Sequence, residues 1–558
     1  MDQARTSTMD EENTEEWGEG FVSAGNSLHL LDLPDSLLLK VLMSLPLESV
    51  KSVSLTCLRF NRITCDEQLW KTLFQRDFKI SRSHPMHPRA CAWRTEYRRL
   101  HDESPAEFCQ ELTDHDDEVW HVTFSHDGTM FATCSKDGTV KLWNATTPCT
   151  LRFTADMRSM MWSWTHISKF NKSDSLLLVS GCLSNTSRNG KIAIFDLKQE
   201  FRVMCCIPVK PFSAFGAWYD ENHIFTSISH RIDFFETISA VWLAKATPEV
   251  KSDRKYARTN PFRFKHLGEY RGVKLFMVAN VPVDAGQGLL SASDEEFAVH
   301  SREYVPGQNS NPLSYQRASC SPLVPGLAET KKEDVPREKL LIFKFGELSD
   351  RVGIKRMRED EIVKEEDMAG GVDWSDTEVS LLSADSIAGN DRFTVLDATI
   401  NMSGRIVGMA LSPDERYLYM NIQRLVTNDE GGEPLEPLSF VNQMNTRVID
   451  LVTYTEVGAV LTSHTGVTEG RFLIYLDVSQ LYVASGSHDN QGYMWDRHYG
   501  VHVRCFPHSD AVNSCALNPR NSEMLVTASD DNTIRIWRSR RHMRQMRQRE
   551  GNIDENPL

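Results

Sequence analysis

The clearest pattern in the chain is an alternation of apolar and polar residues that recurs three times, each time interrupted by a tight turn. It occurs at FATCSKDGTVKLW (131–143), VASGSHDNQGYMW (483–495) and LVTASDDNTIRIW (525–537). Period-two alternation on both sides of an Asp-containing turn predicts two antiparallel strands joined as a hairpin. In each copy the Asp precedes the Trp by six residues, and a Ser or Thr stands four residues before the Asp. Constant spacing indicates a structural repeat.

A His lies upstream of each hairpin and completes a set of four residues in every copy. The Asp can accept a hydrogen bond from the His ring, the His can bond the hydroxyl, and the hydroxyl can accept the buried indole N–H. A hydrolytic triad is the catalytic alternative, but catalytic sites do not repeat along a chain as this set does. The sets are His115, Thr133, Asp137 and Trp143; His464, Ser485, Asp489 and Trp495; and His508, Thr527, Asp531 and Trp537.

These sets resemble the structural tetrad of WD40 repeats, whose period of about 40–45 residues and four strands per repeat are typical of β-propellers. Weaker strand pairs between the three copies bring the predicted count to seven blades within residues 106–540. Two polar stretches, about residues 283–335 and 350–391, are expected to be disordered insertions. The strand at 106–113 is predicted to pair with the blade that ends at Trp537, which leaves no free sheet edge. The second, third and fifth blades are predicted at residues 151–197, 201–244 and 394–454.

Residues 28–78 show a helical periodicity instead. Pro34 and Asp35 favour a helix start, and apolar residues then recur at helical spacing from Leu37 to Leu45. About fifty residues make a marginal core for an isolated domain, so part of this apolar surface is predicted to serve another protein.

This block resembles an F-box, from its opening Leu-Pro to the Leu-Trp at residues 69 and 70. The family usually has Trp three residues after the Cys, whereas Cys57 is followed by Phe60, which lacks the indole donor. A plain three-helix domain with these leucines in its own core is the alternative. The resemblance implies contact with the Skp-type adaptor of a cullin-RING ubiquitin ligase through Leu33, Pro34, Leu37, Leu38, Leu42, Leu45 and Pro46.

The remaining segments are polar. Residues 1–27 are acidic and predicted to be disordered. Residues 79–105 are predicted to form a helical linker, in which His84 and His87 indicate a polar loop rather than a metal site. Residues 541–558 are predicted to be a solvated or locally salt-bridged tail, although its arginines also fit nuclear import or RNA binding.

Composition narrows the classes of function. A net charge of −15 over 558 residues argues against general nucleic-acid binding. Twelve cysteines without a C-x-x-C pair indicate reduced thiols and a cytoplasmic location. No apolar run is long enough to span a membrane. Phosphate-binding glycine loops, H-E-x-x-H and an evident catalytic Cys are missing, so we expect neither catalysis nor a cofactor or metal.

An F-box followed by a propeller resembles the F-box/WD-repeat family. The resemblance implies a non-catalytic substrate receptor of an SCF-type ubiquitin ligase, whose F-box binds the Skp-type adaptor and cullin and whose propeller recruits target proteins. A second route is association with a fourth-cullin ligase through the damaged-DNA-binding adaptor, for which Arg497 and Arg540 are candidate contacts. A non-ligase scaffold for signalling or cytoskeletal assemblies is the alternative from a different class.

Two regulatory motifs are weaker. Arg337 and Leu340 match an R-x-x-L destruction motif, but Leu340 also begins an apolar strand and is expected to be buried. Four serines in the acidic insertion could be phosphorylated, namely Ser375, Ser380, Ser383 and Ser386. The substrate-binding residues cannot be predicted from the sequence.

Overall fold

The computed structural model describes residues 30–184, 190–209, 215–231, 236–246, 258–267, 273–283, 336–346, 350–357, 395–425, 440–458, 460–465 and 473–554. The chain divides into two compact units, Met1–Leu73 and Phe74–Leu558. The predicted N-terminal segment, residues 1–27, lies outside the described residues, as do residues 284–335 and 358–391 of the two predicted insertions.

The first unit is helical because its apolar residues recur one helical turn apart. Leu38 and Leu42 form such a pair and are only 1% and 2% exposed. Pro34 and Pro46 each stand directly before a helix. The elements are a short 3₁₀ turn (Leu30–Asp32), α1 (Asp35–Ser44), α2 (Leu47–Ser54), α3 (Leu58–Ile63) and α4 (Glu67–Asp77), which crosses the boundary between the units.

The second unit is mainly β-structure: within the described ranges its strands form seven antiparallel sheets, which confirms the predicted seven-bladed propeller. Each blade begins with its innermost strand. Blade 1 contains β2 (Val119–Phe124), β3 (Met130–Ser135), β4 (Thr139–Asn144) and β5 (Thr150–Asp156). Blade 2 contains β6 (Trp162–Phe170), β7 (Leu176–Leu183), β8 (Gly190–Asp196) and β9 (Arg202–Val209). Blade 3 contains β10 (Ala217–Trp218), β11 (His223–Arg231), β12 (Glu236–Lys245) and β13 (Arg258–Leu267).

The later blades follow the same order. Blade 4 contains β14 (Lys274–Pro282), β15 (Arg337–Phe345), β16 (Arg351–Met357) and β17 (Ala398–Asn401). Blade 5 contains β18 (Gly404–Leu411), β19 (Tyr417–Leu425), β20 (Phe440–Asp450) and β21 (Thr455–Glu456), and β22 (Leu461–Thr465) also pairs with β20. Blade 6 contains β23 (Leu476–Val478), β24 (Tyr482–Ser485), β25 (Gln491–Asp496) and β26 (His502–Pro507). Blade 7 contains β27 (Val512–Leu517), β28 (Met524–Ser529) and β29 (Ile534–Ser539).

The fourth strand of blade 7 comes from the other end of the propeller sequence. Strand β1 (Pro105–Leu112) pairs with β29, and Phe108 lies opposite Trp537. This pairing confirms the predicted closure. It gives β29 a partner on its second side, where a free edge would otherwise expose unpaired backbone groups.

The predicted blade boundaries were wrong by one strand. Strands β5, β9 and β17 each complete the blade before the one to which the sequence pattern assigned them. The reason is physical: an outermost strand is largely solvated and carries little alternation. In β5, for example, no residue is fully buried.

The second predicted insertion was also set too early. Its first residues form β16, whose Val352 and Ile354 are fully buried although Arg351, Lys355 and Arg356 make the segment look polar. Charged residues on the remaining positions of a strand do not prevent its apolar face from joining the core.

The linker is ordered against blade 6. It contains α5 (Trp93–Arg98) and a π-helical turn (Arg99–Glu103). His84 Nε2 lies 3.2 Å from the His498 carbonyl oxygen, and the His87 backbone N–H donates to the Tyr499 hydroxyl at 2.9 Å. The linker is therefore part of the packed second unit.

The predicted C-terminal tail is instead largely helix α6 (Arg540–Asp554). Its arginines pair with acids of the linker and of β1: Arg541 with Glu103, Arg544 with Asp102 and Arg547 with Glu107. Local salt bridging was one of the two expectations for this segment, and the geometry supports it. No described helix has the length and apolar character needed to cross a membrane.

Arg99 provides a test of the linker attachment. Its guanidinium lies 2.7 Å from both Glu96 and Asp496, whose side chains are only 3% and 1% exposed. Arg99→Met should therefore destabilise the protein by about 3–5 kcal/mol, because it leaves a buried carboxylate without its cation. Urea denaturation measures this loss. Arg98→Met is the matched control, since the Arg98 side chain is 60% exposed; equal effects of the two variants would contradict the prediction.

Candidate partner-binding site

Helix α1 carries two apolar stripes with different environments. Leu38 and Leu42 are buried, whereas Leu37 and Val41 are 43% and 42% exposed. Residues four apart lie on the same helical face, so one face enters the core and the neighbouring face remains open to solvent. The prediction that Leu38 and Leu42 contact an adaptor directly needs correction, because both belong to the core of the unit.

The other predicted contact residues are accessible to different degrees. Pro34 and Pro46 are exposed, and Leu33 and Leu45 are half-buried. Together with Leu37 they remain available at the surface. The exposed Leu37 and the prolines before α1 and α2 are suited to an apolar contact with another protein.

Sequence reasoning missed three further exposed apolar residues. Leu55 and Leu58, on either side of the α2–α3 turn, are 85% and 90% exposed, and Leu30 is 54% exposed. Five large apolar side chains are thus exposed among residues 30–73, the described part of this unit, which makes them candidates for a protein contact. The sequence did contain a signal: two leucines flank a short polar turn. Neither leucine fits the apolar stripe of the helix next to it.

An ion-pair cluster holds the start of α1. The Arg59 guanidinium donates to Asp35 at 2.8 Å and to the Leu33 carbonyl oxygen at 2.7 Å, and Arg62 donates to Asp35 at 2.8 Å. The Arg59 hydrogen bond is the largest cause of the lowered pKa of Asp35. These contacts tie the Leu33–Pro34 segment to α3. Phe60, the departure from the family pattern, is 8% exposed, and its backbone N–H contacts the Cys57 thiol sulfur at 3.5 Å.

The four residues of the blade 1 tetrad are connected by an unbroken series of hydrogen bonds, which we call the relay. His115 Nδ1 lies 2.7 Å from Asp137 and its Nε2 lies 2.8 Å from the Thr133 hydroxyl, which accepts the Trp143 indole N–H at 3.0 Å. Burial alone would raise the pKa of Asp137, but hydrogen bonds from His115 and Thr139 hold it well below its usual range. Every polar atom in the relay has a partner, so the set has a structural role.

The tetrad of blade 7 has the same geometry. His508 lies 3.0 Å from Asp531 and 2.7 Å from the Thr527 hydroxyl, which accepts the Trp537 indole N–H at 2.9 Å. Burial opposes ionisation of Asp531, and hydrogen bonds from His508 and Thr533 nevertheless lower its pKa strongly.

The described members of the blade 6 set also have hydrogen-bond partners outside the set. The Trp495 indole donates to the Thr462 carbonyl oxygen at 3.2 Å, Ser485 accepts from Asn421 at 2.8 Å, and Asp489 accepts from the Tyr493 hydroxyl at 2.7 Å. The strand carrying His464 pairs with β20 of blade 5, with His464 opposite Met444. The His464 side chain lies outside the described residues, so its part in this set stays a prediction.

Burial corrects two predictions, the Arg497 contact and the destruction motif, and leaves Arg540 partly accessible. Arg497 is 4% exposed and its guanidinium donates to the Ser479 carbonyl oxygen and the Tyr419 hydroxyl, so it is not available to a second adaptor. Arg540 is half-buried and lies 2.8 Å from His101 Nε2. Leu340 is fully buried in β15, so Arg337 and Leu340 cannot be recognised together as a destruction motif in the folded chain. No cluster of potential metal ligands occurs among the described residues.

The two units together define a protein with a small helical module followed by a β-propeller. The F-box-like family model matches residues 30–76, and the WD domain, G-beta repeat model matches residues 106–144 and 500–538. Because relatives named F-box/WD repeat-containing proteins are 34% identical over 92% of the chain, the chain belongs to the F-box/WD-repeat family.

Full-length relatives include F-box/WD repeat-containing protein 5 of Mus musculus, 34% identical over 92% of this chain and 94% of that protein. The Homo sapiens protein of the same name is also 34% identical, over 92% of this chain and 95% of its own length. WD repeat-containing protein 26 homolog of Arabidopsis thaliana is 29% identical over 26% of this chain and 22% of that protein.

The Thr527 hydroxyl is the center of the blade 7 relay and can be tested directly. Thr527→Val should lower the free energy of unfolding by about 2 kcal/mol, because it leaves the buried Trp537 indole and the His508 ring without their shared partner. Thr527→Ser keeps the hydroxyl and should have a smaller effect. Thermal and urea unfolding compare the two variants; equal losses would show that the methyl group, not the hydrogen bonds, matters here.

Proposed function

We propose that this protein is the substrate-recognition subunit of an SCF-type cullin-RING ubiquitin ligase. In this proposal the F-box unit binds a Skp-type adaptor, which connects it to the cullin, and the propeller recruits cytoplasmic target proteins for ubiquitination and degradation. Membership of the F-box/WD-repeat family supports the pairing of these two roles.

The observation that carries the proposal is the exposed stripe of α1. Leu37 and Val41 remain more than 40% exposed while Leu38 and Leu42 complete the core. Burying apolar surface on a partner gains about 25 cal/mol per Å² before the costs of association. Helix α1 can therefore complete the core of its unit with one face and still present an apolar surface to the adaptor with the other.

The proposed mechanism is proximity without covalent chemistry by this chain. A target held by the propeller would meet the ubiquitin-charged enzyme of the same complex at a high effective concentration. The reacting groups would then belong to the charged enzyme and to a lysine of the target. Accordingly, we propose a non-catalytic receptor role.

The adaptor contact can be tested with a charge introduced on the exposed stripe. Leu37→Glu combined with Val41→Glu should weaken binding of a purified Skp-type adaptor at least tenfold, because an unpaired carboxylate is costly in an apolar interface. Isothermal titration calorimetry with the full chain measures the affinity, and circular dichroism checks that α1 remains folded.

Leu151→Glu is the matched control for this double variant. Leu151 lies on the outer strand of blade 1 and is 40% exposed, close to the exposure of Leu37. The control should bind the adaptor like the unmodified chain. Unchanged adaptor affinity in the Leu37→Glu and Val41→Glu variant would contradict the proposed docking surface.

A non-ligase scaffold is the competing function, and degradation separates the two. If the chain is a receptor, cells carrying the Leu37→Glu and Val41→Glu variant should accumulate the propeller's protein partners with longer half-lives. The partners should still co-precipitate with the variant, because the propeller is unchanged. Normal partner half-lives, combined with loss of the assembled complexes, would favour the scaffold.

Association with a fourth-cullin ligase through the damaged-DNA-binding adaptor has narrower support. Arg497 is committed to contacts inside the propeller, so this proposal depends on Arg540 alone. Co-precipitation of that adaptor with the chain, and its loss in Arg540→Ala, would support the second route.

A further inference from the structure

The innermost strands of the propeller surround a cavity of about 190 Å³. Strands β2, β6, β14, β18, β23 and β27 each contribute residues to its wall. The volume corresponds to about six molecules of liquid water, which leaves room for a small polar solute. Three hydrogen-bond donors in this wall are not fully used by the protein.

Lys169 is the first of these donors. The inner strand of blade 3 has only two residues, and the Lys169 ammonium reaches past it to the carbonyl oxygens of Gly216 at 3.3 Å and Phe276 at 2.8 Å. An ammonium group has three N–H donors, so one remains. Among the described residues, Lys169 forms no ion pair with a carboxylate. Burial lowers the pKa of Lys169 to about 8, which still leaves most of the ammonium charged at neutral pH.

His121 is the second donor. Its Nδ1 accepts the Ser168 backbone N–H at 3.3 Å, which places the proton of the neutral ring on Nε2. Nε2 has no hydrogen-bond partner within the described ranges, although the residue is only 8% exposed. Burial and the nearby Lys169 charge lower the pKa of His121 to about 3, so the ring is a neutral donor close to the ammonium.

Ser514 is the third donor, and Asp477 is the acid that must be weighed against it. The Ser514 hydroxyl oxygen accepts the Val122 backbone N–H at 3.3 Å, which leaves its O–H free to donate. Asp477 also lines the cavity, but its two oxygens accept the backbone N–H groups of Val478 and Leu517, each at 2.8 Å. Burial raises the pKa of Asp477, and the hydrogen bonds from Leu517 and Val478 oppose that shift.

We propose that this cavity binds a small oxyanion, with Lys169, His121 and Ser514 as its donors. The chemistry selects the class of ligand, because the open groups are donors and one of them carries a positive charge without a paired anion. Inorganic phosphate and a small carboxylate share this chemistry. The proposal is independent of the ubiquitin-ligase role.

The test uses the full chain and inorganic phosphate. Its thermal unfolding midpoint should rise saturably with phosphate when ionic strength is held constant with chloride, as expected for a ligand that binds only the folded state. Lys169→Met should weaken the apparent affinity at least tenfold. Formate in a parallel titration distinguishes a carboxylate site from a phosphate site, and saturable stabilisation by either anion supports the proposal.

Two variants keep the result interpretable. Lys172→Met removes an exposed lysine that follows β6 and should leave the phosphate response unchanged. Ser514→Ala preserves both carbonyl contacts of Lys169 and should weaken the affinity several-fold, which provides the test if Lys169→Met does not fold. The proposal is overturned if neither anion stabilises the chain at about 10 mM, or if the response survives Ser514→Ala and Lys169→Met unchanged.

Discussion

The pairing of β1 with β29 is the interaction on which the propeller depends. It joins the first strand of the ring to the last, so that the innermost-to-outermost order is complete in every blade. Helix α6 and the linker turn strengthen the same corner through the Arg541–Glu103 and Arg547–Glu107 pairs. Each exposed ion pair contributes little alone, but together they order both ends of the ring.

The F-box unit is stabilised differently, by a small helical core. Its small core is completed by one stripe of α1, while the adjacent stripe remains exposed and is the surface proposed to bind the adaptor. The Arg59 and Arg62 contacts to Asp35 orient the start of that helix without covering its exposed face. A unit with so little interior is stabilised further when it binds, because only the folded form presents the stripe.

The fold could be predicted from the sequence to the extent that single elements carry their own pattern. The hairpins ending at Trp143 and Trp537 produced the expected relays because all four members lie within one blade and its entry loop. The pairing of β22, the strand that carries His464, with blade 5 could not be predicted in this way, because it is decided by tertiary structure. The predicted blade boundaries were wrong for another reason, because solvated outer strands such as β5 carry little apolar pattern.

The candidate sites could likewise be predicted from the sequence only in part. Helical spacing predicted the apolar residues of α1, but which stripe enters the core depends on the packing of the other helices, so Leu38 and Leu42 were misassigned. The exposure of Leu55 and Leu58 is likewise a tertiary property. Lys169 could not have been singled out, because the carbonyl groups it bridges come from two later blades.

The closing strand also has a consequence for biosynthesis. Strand β1 leaves the ribosome before any blade, whereas its partner β29 is made only after every other described strand of the propeller. At typical elongation rates the nascent chain holds this strand unpaired for on the order of half a minute. Phe108, still 48% exposed in the finished ring, is then part of an open edge. We therefore expect cotranslational chaperones to engage this segment until blade 7 emerges.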